Sequence, residues 1–236
     1  MIRIGTAGWS LPKALAADFL GEGSHLQRYA ARLNAVEINS SFYRPHRRIT
    51  YKHWAASVPD GFRFAVKLPR TITHDRRFVD CEALVAQFAD ESGGLGDKCG
   101  PVLVQLPPSF PFAAELAGNF FAMLGRVLPG QIACEPRHPS WFDDGADGLL
   151  AAHGIARVAA DPAPVPAAAR PGGSLDLDYL RLHGSPEMYR SSYNATAIAA
   201  HIRAVHTASQ AWVIYDNTAL GAALPNALAL LDLARD

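Results

Sequence analysis

Short runs of apolar residues alternate along the chain with longer segments in which apolar positions recur every three or four residues. Short apolar runs are typical of strands, and the longer periodicity is typical of amphipathic helices. The pattern predicts eight strands, at 2–7, 35–39, 62–68, 101–106, 131–135, 155–160, 178–183 and 211–216. Eight strands that alternate with helices indicate one α/β domain over residues 1–236, namely a (β/α)8 TIM barrel with parallel strands.

Residues that can cap helices support this order of elements. They are Ser24, which forms a capping box with Gln27 before the helix predicted over 24–33, Asp80 before 80–89, and Asn194 before 195–208. The interval 161–176 lacks a helical pattern and is rich in proline and glycine. Because proline removes a backbone donor and breaks helices, we expect an extended loop there in place of the sixth helix.

Successive side chains of a strand point to opposite faces, so the apolar residues that face the helices determine which neighbours point to the barrel axis. In the second strand the apolar pair is Val36 and Ile38, which turns Glu37 inward. In the sixth strand Val158 is taken as helix-facing, which turns Asp161 inward. Applied to every strand, the argument turns these polar residues inward near the carboxyl ends: Glu37, Asn39, Lys67, Gln105, Glu135, Arg137, Asp161, Arg181 and His183.

Active sites of barrels lie at the carboxyl ends of the strands. The stretch IACEPRHPSWF at 132–142 concentrates polar residues there, and the last strand is ambiguous between Asp216 and Asn217. Further residues are expected on the same face: Tyr43, His74, His138 and Trp141. The acids and cations of this set could instead form a purely structural network. Buried ion pairs stabilise a fold less well than apolar packing does, so we favour a functional pocket.

Composition excludes some classes of protein. The formal net charge is zero, the sequence pI is near 7.1, and 49% of the residues are hydrophobic. No apolar run approaches the roughly 18 residues that a membrane span needs, and the N-terminus lacks the sections of a signal peptide. The three cysteines lack metal-like spacing. We therefore expect a reduced cytoplasmic protein with no membrane attachment.

Basic residues concentrate between Arg44 and Arg77, where nine Lys or Arg stand against two acids. A local basic surface of this kind could attract a phosphate or a polyanion. Solvated surface charge is the commoner explanation, and the neutral total argues against a general nucleic-acid binder.

Seven segments, in order along the chain, are similar to the successive blocks of one known family: IRIGTAGW, VEINSSFYR, FRFAVKLPRTITH, LGDKCGPVLVQLPPSF, EPRHPSWF, YLRLHG and IYDNTALGAALPNAL. From Ile2 to about Leu231 the chain resembles the uncharacterised YecE-like family, known as domain of unknown function 72. The resemblance implies a TIM barrel in a bacterial or archaeal cytoplasmic protein, and it implies no particular reaction. Asp216 stands where this family frequently has asparagine.

The leading functional hypothesis is an enzyme that needs no metal or other cofactor and acts by acid–base chemistry on a small anionic substrate. The substrate would be phosphorylated or carboxylated and sugar-like; isomerase, lyase and hydrolase reactions stay open. Candidate catalytic residues are Glu37, Glu135, His183 and His74, and candidate substrate-binding residues are Asn39, Tyr43, Lys67, Gln105, Arg137, His138, Trp141, Asp161, Arg181 and Asn217. Arg137 and Arg181 are expected to form an anion clamp, since guanidinium groups donate in bidentate geometry.

Two other classes of function stay open at this point. The first is a divalent-metal barrel of the sugar-isomerase or endonuclease type, with Glu37, Glu135, Asp161 and His183 as ligands. The second is a nucleic-acid-binding protein without chemistry, supported by the basic region and disfavoured by the neutral total. The sequence leaves the oligomeric state open.

Overall fold

The computed structural model describes residues 2–205 and 210–235. Ten strands occur in this part of the chain: β1 (Ile2–Thr6), β2 (Ala35–Ile38), β3 (Arg63–Lys67), β4 (Cys99–Gln105), β5 (Ile132–Glu135), β6 (Ile155–Arg157), β7 (Ala159–Asp161), β8 (Gly172–Gly173), β9 (Leu177–Leu182) and β10 (Gln210–Tyr215). All eight predicted strands are confirmed with small shifts at their ends. The strand predicted over 155–160 is divided at Val158 into β6 and β7.

Seven α-helices occur in the described residues: α1 (His25–Ala30), α2 (Arg48–Ala56), α3 (Glu82–Ser92), α4 (Ala114–Val127), α5 (Asp144–Ala152), α6 (Ala195–Ala204) and α7 (Ala223–Leu233). Ser24 forms the predicted capping box of α1, and Asn194 caps α6 as predicted. The cap predicted at Asp80 is wrong: α3 follows Cys81, and Asp80 has a φ of 51°. The predicted continuation of α6 into 206–209 falls outside the described residues. None of the helices described is long and apolar enough to cross a membrane.

The strands form two hydrogen-bonded sheets. One has the order β1-β10-β9-β7 and is parallel throughout; the other has the order β2-β3-β4-β5-β6-β8 and is parallel except for the short β6–β8 pair. The result is an α/β fold with one parallel and one mixed sheet. These pairings do not confirm the closed (β/α)8 barrel predicted from the sequence. The segment 162–176 forms a one-turn 3-10 helix at Pro166–Ala169 and then β8, so its described backbone contains no α-helix, as its prolines predict.

The two sheets approach each other along β1 and β2. An isolated bridge joins Ala7 to Glu37, and Gly8 donates its N–H to the Glu37 carbonyl at 2.9 Å. Gly5 allows this approach, because a Cβ at that position would lie 2.2 Å from the carbonyl oxygen of Ala35. The absence of a side chain at Gly5 therefore brings the first strands of the two sheets together.

Between β6 and β7, the chain passes directly from one sheet to the other. Val158, between β6 and β7, donates to the Cys134 carbonyl at 2.8 Å, and His183 donates to the Asp161 carbonyl at 2.7 Å. β6 therefore continues the sheet of β5, whereas β7 continues the sheet of β9. The switch between partners explains why one predicted strand appears as two.

Opposite faces of the strands carry two clusters of buried side chains. The larger cluster packs against the helices and includes Val36 and Ile38. The smaller cluster lies on the other face and consists of Ala35, Ala65, Leu103, Ala133, Ala156, Val158, Leu177, Tyr179, Trp212 and Ile214. The prediction that Val158 faces the helices is therefore wrong. With Val158 on the inner face, alternation turns Asp161 away from it, and the prediction of an inward Asp161 is wrong as well.

Candidate active site

A buried network of ion pairs surrounds Arg181 at the carboxyl ends of β2, β5, β9 and β10. The Arg181 guanidinium binds Glu37 in bidentate geometry, with Nε–Oε2 and Nη2–Oε1 distances of 3.0 and 2.8 Å. Its Nη1 donates to Glu135 at 2.6 Å, and its Nη2 also donates to Asp216 at 2.9 Å. Arg181 is 1% exposed. All three guanidinium nitrogens are therefore engaged by carboxylates, which come from three different strand ends.

His183 continues this network on the side of β5. Its Nε2 lies 2.8 Å from Glu135 Oε1, and its Nδ1 lies 3.1 Å from Asp216 Oδ2. Arg137 Nη2 lies 2.5 Å from the same Glu135 oxygen and 2.6 Å from His183 Nε2. Nε2 can donate to Glu135 or accept from Arg137, but it cannot do both at once. The location of a single proton on the imidazole therefore decides which of these two contacts is a hydrogen bond.

Charge balance determines the protonation of the buried acids. Burial acts to raise the pKa of Glu135, but Arg181 and Arg137 outweigh burial, so this pKa lies well below its usual value. Burial likewise opposes ionisation of Asp216, yet Arg181 and His183 lower the pKa of that carboxyl. The carboxylates in turn raise the pKa of Arg181 despite its burial. Both acids are therefore ionised at neutral pH and act as hydrogen-bond acceptors.

Lys67, the last residue of β3, lies beside the network without joining its hydrogen bonds. Its Nζ lies 4.1 Å from the centre of the Phe42 ring, and the residue is 5% exposed. No hydrogen bond or ion pair of this amine occurs within the described ranges of the chain. Burial and, to a smaller extent, Arg181 lower the pKa of Lys67 to about 8, and Glu37 opposes the change. Lys67 therefore combines a buried, unpaired amine with a pKa near neutrality.

Arg137 is the second cation with unused donors. Only its Nη2 has a partner in the described part of the chain, and its Nε is buried without one. Its side chain is 10% exposed. The predicted clamp of two arginines is therefore unequal, because carboxylates engage four of the five N–H donors of Arg181 while Arg137 keeps donors for another acceptor.

The sequence reasoning missed two residues of the site. Tyr179 donates its hydroxyl to Glu37 at 2.8 Å from a fully buried position, and alternation from Arg181 would have turned it inward. Tyr189 places its ring 5.6 Å from the His183 ring and is 44% exposed. It lies in a loop without periodicity, so no sequence signal pointed to it. Asp216, which the sequence left ambiguous, belongs to the network.

Several predicted site residues instead have contacts that hold the surrounding structure. Trp141 is fully buried, and its indole N–H donates to the Phe110 carbonyl at 2.9 Å. It is a core residue because three aromatic contacts, with residues 110, 112 and 121, and this hydrogen bond fix it inside the loops. His138 accepts from the Ser140 N–H at 3.2 Å and so caps the 3-10 helix Pro139–Trp141. Neither side chain contacts the Arg181 network in the contacts described.

Asp161 and Asn217 also serve the loops. The Asp161 carbonyl accepts from the Tyr193 hydroxyl at 3.1 Å, and burial together with the Asp161 side chain raises the pKa of Tyr193. Asn217 donates to the Ser191 carbonyl at 2.9 Å and to Asn226 at 2.8 Å. These contacts tie the loop before α6 to α7 and leave the network to other residues.

The remaining predicted residues lie around the network. Gln105 is paired in register with Glu135 and donates to the Leu106 carbonyl. Asn39 is half-buried with its Oδ1 unpaired among the residues described, and Tyr43 is 70% exposed. The His74 ring lies 4.9 Å from Phe42, the ring that Lys67 also contacts. Burial and the Lys67 charge lower the pKa of His74, so it is a neutral base at physiological pH.

Within residues 2–205 and 210–235, no group of three or more His, Cys, Asp or Glu side chains is arranged to hold a metal ion. A cavity of about 250 Å³ lies next to the site, with Phe42, Tyr43, Arg70 and Asp75 in its lining. Phe42 thus separates Lys67 from an open space near the predicted mouth.

Comparison with known proteins identifies relatives. The family model described as "Protein of unknown function DUF72" matches residues 3–236. The UPF0759 protein YecE of Escherichia coli K12 is 34% identical over 176 residues, 71% of this chain and 62% of that protein; its counterpart in E. coli O157:H7 is 33% identical over the same length. The match thus spans less than two thirds of the length of these relatives.

Solved structures share the fold. A DUF72 family protein from Enterococcus faecalis V583 superposes with a TM-score of 0.83 at 22% identity, covering 100% of this chain and 96% of that one. A DUF72 family protein from Thermotoga maritima MSB8 gives a TM-score of 0.80 at 23% identity, with both chains fully covered. At this identity the likeness establishes the α/β fold and carries no statement about activity.

Proposed function

The chain belongs to the DUF72 family of proteins of unknown function, and we propose that it is an enzyme that transfers protons to and from a small anionic substrate at the Arg181 network. The observation that carries this proposal is the unequal use of the buried cations. Carboxylates engage four of the five N–H donors of Arg181, whereas among the described residues the Arg137 Nε and the Lys67 amine have no acceptor. Unpaired buried donors cost free energy unless a ligand satisfies them.

The proposal includes the architecture that assembles the site. Eight parallel strands would close into one (β/α)8 barrel in a single domain, with the Ala7–Glu37 bridge and the Val158–Cys134 hydrogen bond as the two joints between sheets. Polar side chains at the carboxyl ends would then face a common mouth. Amide hydrogen exchange tests this closure, since Gly8 and Val158 should be protected as strongly as amides inside the sheets. Rapid exchange at both amides would contradict a closed barrel.

Proton transfer falls to His183 in this scheme. Its ring lies between two ionised carboxylates, Glu135 and Asp216, which can stabilise a proton that the imidazole takes from the substrate. The neutral His74 is the second base, beside Lys67. Glu37 accepts hydrogen bonds from Arg181 and Tyr179. We therefore assign it the role of positioning Arg181, and it takes no part in proton transfer in this proposal.

The anionic group of the substrate binds to Arg137, and Lys67 contacts the rest of the substrate. Guanidinium donors that lack a protein acceptor form short charge-assisted hydrogen bonds with phosphate or carboxylate oxygens. Inorganic phosphate and sulfate should therefore raise the thermal unfolding midpoint of the wild-type protein. Arg137→Ala should abolish this stabilisation, while Arg126→Ala, an exposed position at the end of α4, should leave it unchanged. Equal stabilisation of the wild type and both variants would overturn the proposed anion site.

The other two functional classes have less support. A metal site of the predicted type needs Asp161 beside Glu37 and Glu135, but the Asp161 side chain lies on the other parity, and Arg181 occupies oxygens of both glutamates. In the basic region Arg48 pairs with Asp90 and Arg70 with Asp75, which reduces the charge available to a nucleic acid.

A further inference from the structure

We propose that Lys67 is an amine nucleophile that forms a protonated imine with the carbonyl carbon of an aldehyde or ketone substrate. This inference rests on the proposed function, because the same substrate would place its anionic group on Arg137. It narrows the substrate class to small carbonyl compounds that carry a carboxylate or a phosphate. It also narrows the reactions to those in which an imine activates the neighbouring bond.

The chain contains four lysines, and their surroundings differ sharply. Lys13 and Lys52 are exposed. Lys98 donates its Nζ to the carbonyls of residues 55 and 58 at 2.9 and 2.6 Å and lies 3.7 Å from Asp60. Lys67 is 5% exposed and is the last residue of β3. Its Nζ lies against the face of the Phe42 ring and meets no hydrogen-bond acceptor among the described residues. An amine whose lone pair meets no hydrogen-bond partner is free to attack carbon once it is deprotonated.

The charges around Lys67 favour that deprotonation. Burial is the largest cause, Arg181 adds to it, and Glu37, Glu135 and Asp216 oppose it, which leaves a pKa of about 8. Near pH 7.5 about a quarter of such amines are neutral, against about one in a thousand for an ordinary lysine. His74, from the loop after β3, faces the same Phe42 ring and is itself neutral there, so it can accept and return protons.

The reaction balances without an oxidant or reductant. Neutral His74 first takes a proton from the Lys67 ammonium. The neutral Nζ attacks the carbonyl carbon, a C–N bond forms, and the carbonyl π electrons pass to oxygen, which takes this proton from His74. The nitrogen loses a proton to His74, which passes it to the hydroxyl group; this group then leaves as water while the nitrogen lone pair forms the C=N bond. The cationic imine draws electrons from the adjacent C–H bond, whose proton His183 accepts. Addition of water reverses these steps and restores the lysine.

The test uses the whole protein at pH 7.5 with glyoxylate, an aldehyde that carries a carboxylate, and sodium cyanoborohydride, which reduces imines to stable amines. Peptide mass spectrometry measures the rate at which each lysine gains the mass of the probe less one oxygen atom. Labelling of Lys67 should exceed that of Lys52 by about tenfold or more, given their neutral fractions. Lys67→Arg should lose this label and Lys52→Arg should keep it. Labelling of Lys67 no faster than Lys52 overturns the proposal, and this comparison is made within one wild-type molecule.

A second probe separates this inference from the proposed function. Acetaldehyde lacks the anionic group, so glyoxylate should label Lys67 faster than acetaldehyde does, and Arg137→Ala should remove that advantage. If Lys67 is not labelled preferentially but phosphate still stabilises the protein through Arg137, the imine is wrong and the anion site stands. If phosphate stabilisation is independent of Arg137 as well, the proposed function fails with it.

Discussion

Two layers of inward-facing side chains lie on the same strands, two residues apart, and have opposite character. The lower layer is apolar and rich in alanine, and the upper layer is charged. The pairs are Ala35 and Glu37 on β2, Ala65 and Lys67 on β3, Leu103 and Gln105 on β4, Ala133 and Glu135 on β5, Tyr179 and Arg181 on β9, and Ile214 and Asp216 at β10. Apart from Gln105, which is uncharged and half-buried, both layers are almost completely shielded from water. Burial therefore does not distinguish them, and the difference lies in what each contributes.

The lower layer stabilises the fold by removing apolar surface from water, which is the dominant favourable term in folding. The upper layer gains little in this way, since the desolvation of its charges offsets much of their attraction. A fold that needed only stability would extend the apolar layer by two residues. The charged layer at the carboxyl ends therefore supports the proposed function, and the apolar layer beneath it stabilises the fold.

The largest expected effect is in the upper layer. Arg181→Met should lower the free energy of unfolding by about 3–5 kcal/mol, because three carboxylates would lose their common partner. Urea denaturation at pH 7 measures this change. Arg181 holds the pKa values of Glu135 and Asp216 below their usual values, so its stabilisation is present above the unfolded pKa of these acids and is lost as the pH falls through their folded pKa. The loss in the variant should therefore shrink in acid. A variant as stable as the wild type at pH 7 would show that the network is not coupled.

A truncation in the lower layer should have a different pH dependence. Leu103 is fully buried in the apolar layer, and Leu103→Ala should cost about 3 kcal/mol through lost burial and a residual cavity. No titratable group is removed, so this cost in free energy should be nearly constant between about pH 4 and about pH 8. This window begins near the pKa of unperturbed carboxyl groups, which is about 4. Stabilisation by phosphate should survive the substitution. A strongly pH-dependent cost would mean that the two layers are energetically linked and would break the comparison.

The sequence predicted the face of most of these residues and predicted less well which contacts they make. Alternation needs only an uninterrupted strand, and Glu37, Glu135 and Arg181 lie on such strands. The prediction for Asp161 was wrong because Val158, at the change of sheets, faces inward and not toward the helices, and this long-range change of partners has no local signal.

Loop residues were harder to place, because their positions depend on long-range packing and not on a local sequence pattern. Trp141 follows a polar strand end in sequence, yet tertiary packing against aromatic side chains draws it into the core. Tyr189 reaches His183 through a loop with a positive φ of 68°, which no periodicity encodes. Asp216 was ambiguous because it follows the last strand residue, where parity is no longer enforced by the sheet.

Substitution of Lys67 should have an intermediate effect on stability, and its sign tests whether this charge in the upper layer stabilises the fold. The folded pKa of Lys67, about 8, lies below its ordinary value of 10.5, so between these pH values the unfolded chain holds a proton that the folded protein lacks. Stability therefore rises with pH across this window, and the penalty is complete below pH 8. Lys67→Met should be more stable than the wild type by roughly 1–3 kcal/mol at pH 7, and the advantage should disappear toward pH 10.5. Urea denaturation across this range measures the difference, and a variant that is less stable than the wild type at pH 7 would mean that Lys67 is a structural cation.

The smallest expected effect on stability belongs to Arg137, and it completes the contrast with Arg181. Arg137→Gln removes a cation from Glu135, but that carboxylate keeps Arg181 Nη1 at 2.6 Å and His183 Nε2 at 2.8 Å. The substitution also removes a buried Nε that lacks an acceptor, which recovers part of the lost attraction. The free energy of unfolding should therefore change by less than about 1 kcal/mol, against several for Arg181→Met, when both variants are unfolded by urea in the same buffer. If Arg137→Gln is as damaging as Arg181→Met, Arg137 is part of the scaffold and its free donors are incidental. A small decrease in the free energy of unfolding, together with the loss of stabilisation by phosphate, would mean that the two arginines on Glu135 have different roles. Arg181 would hold the structure of the site, and Arg137 would bind the anion.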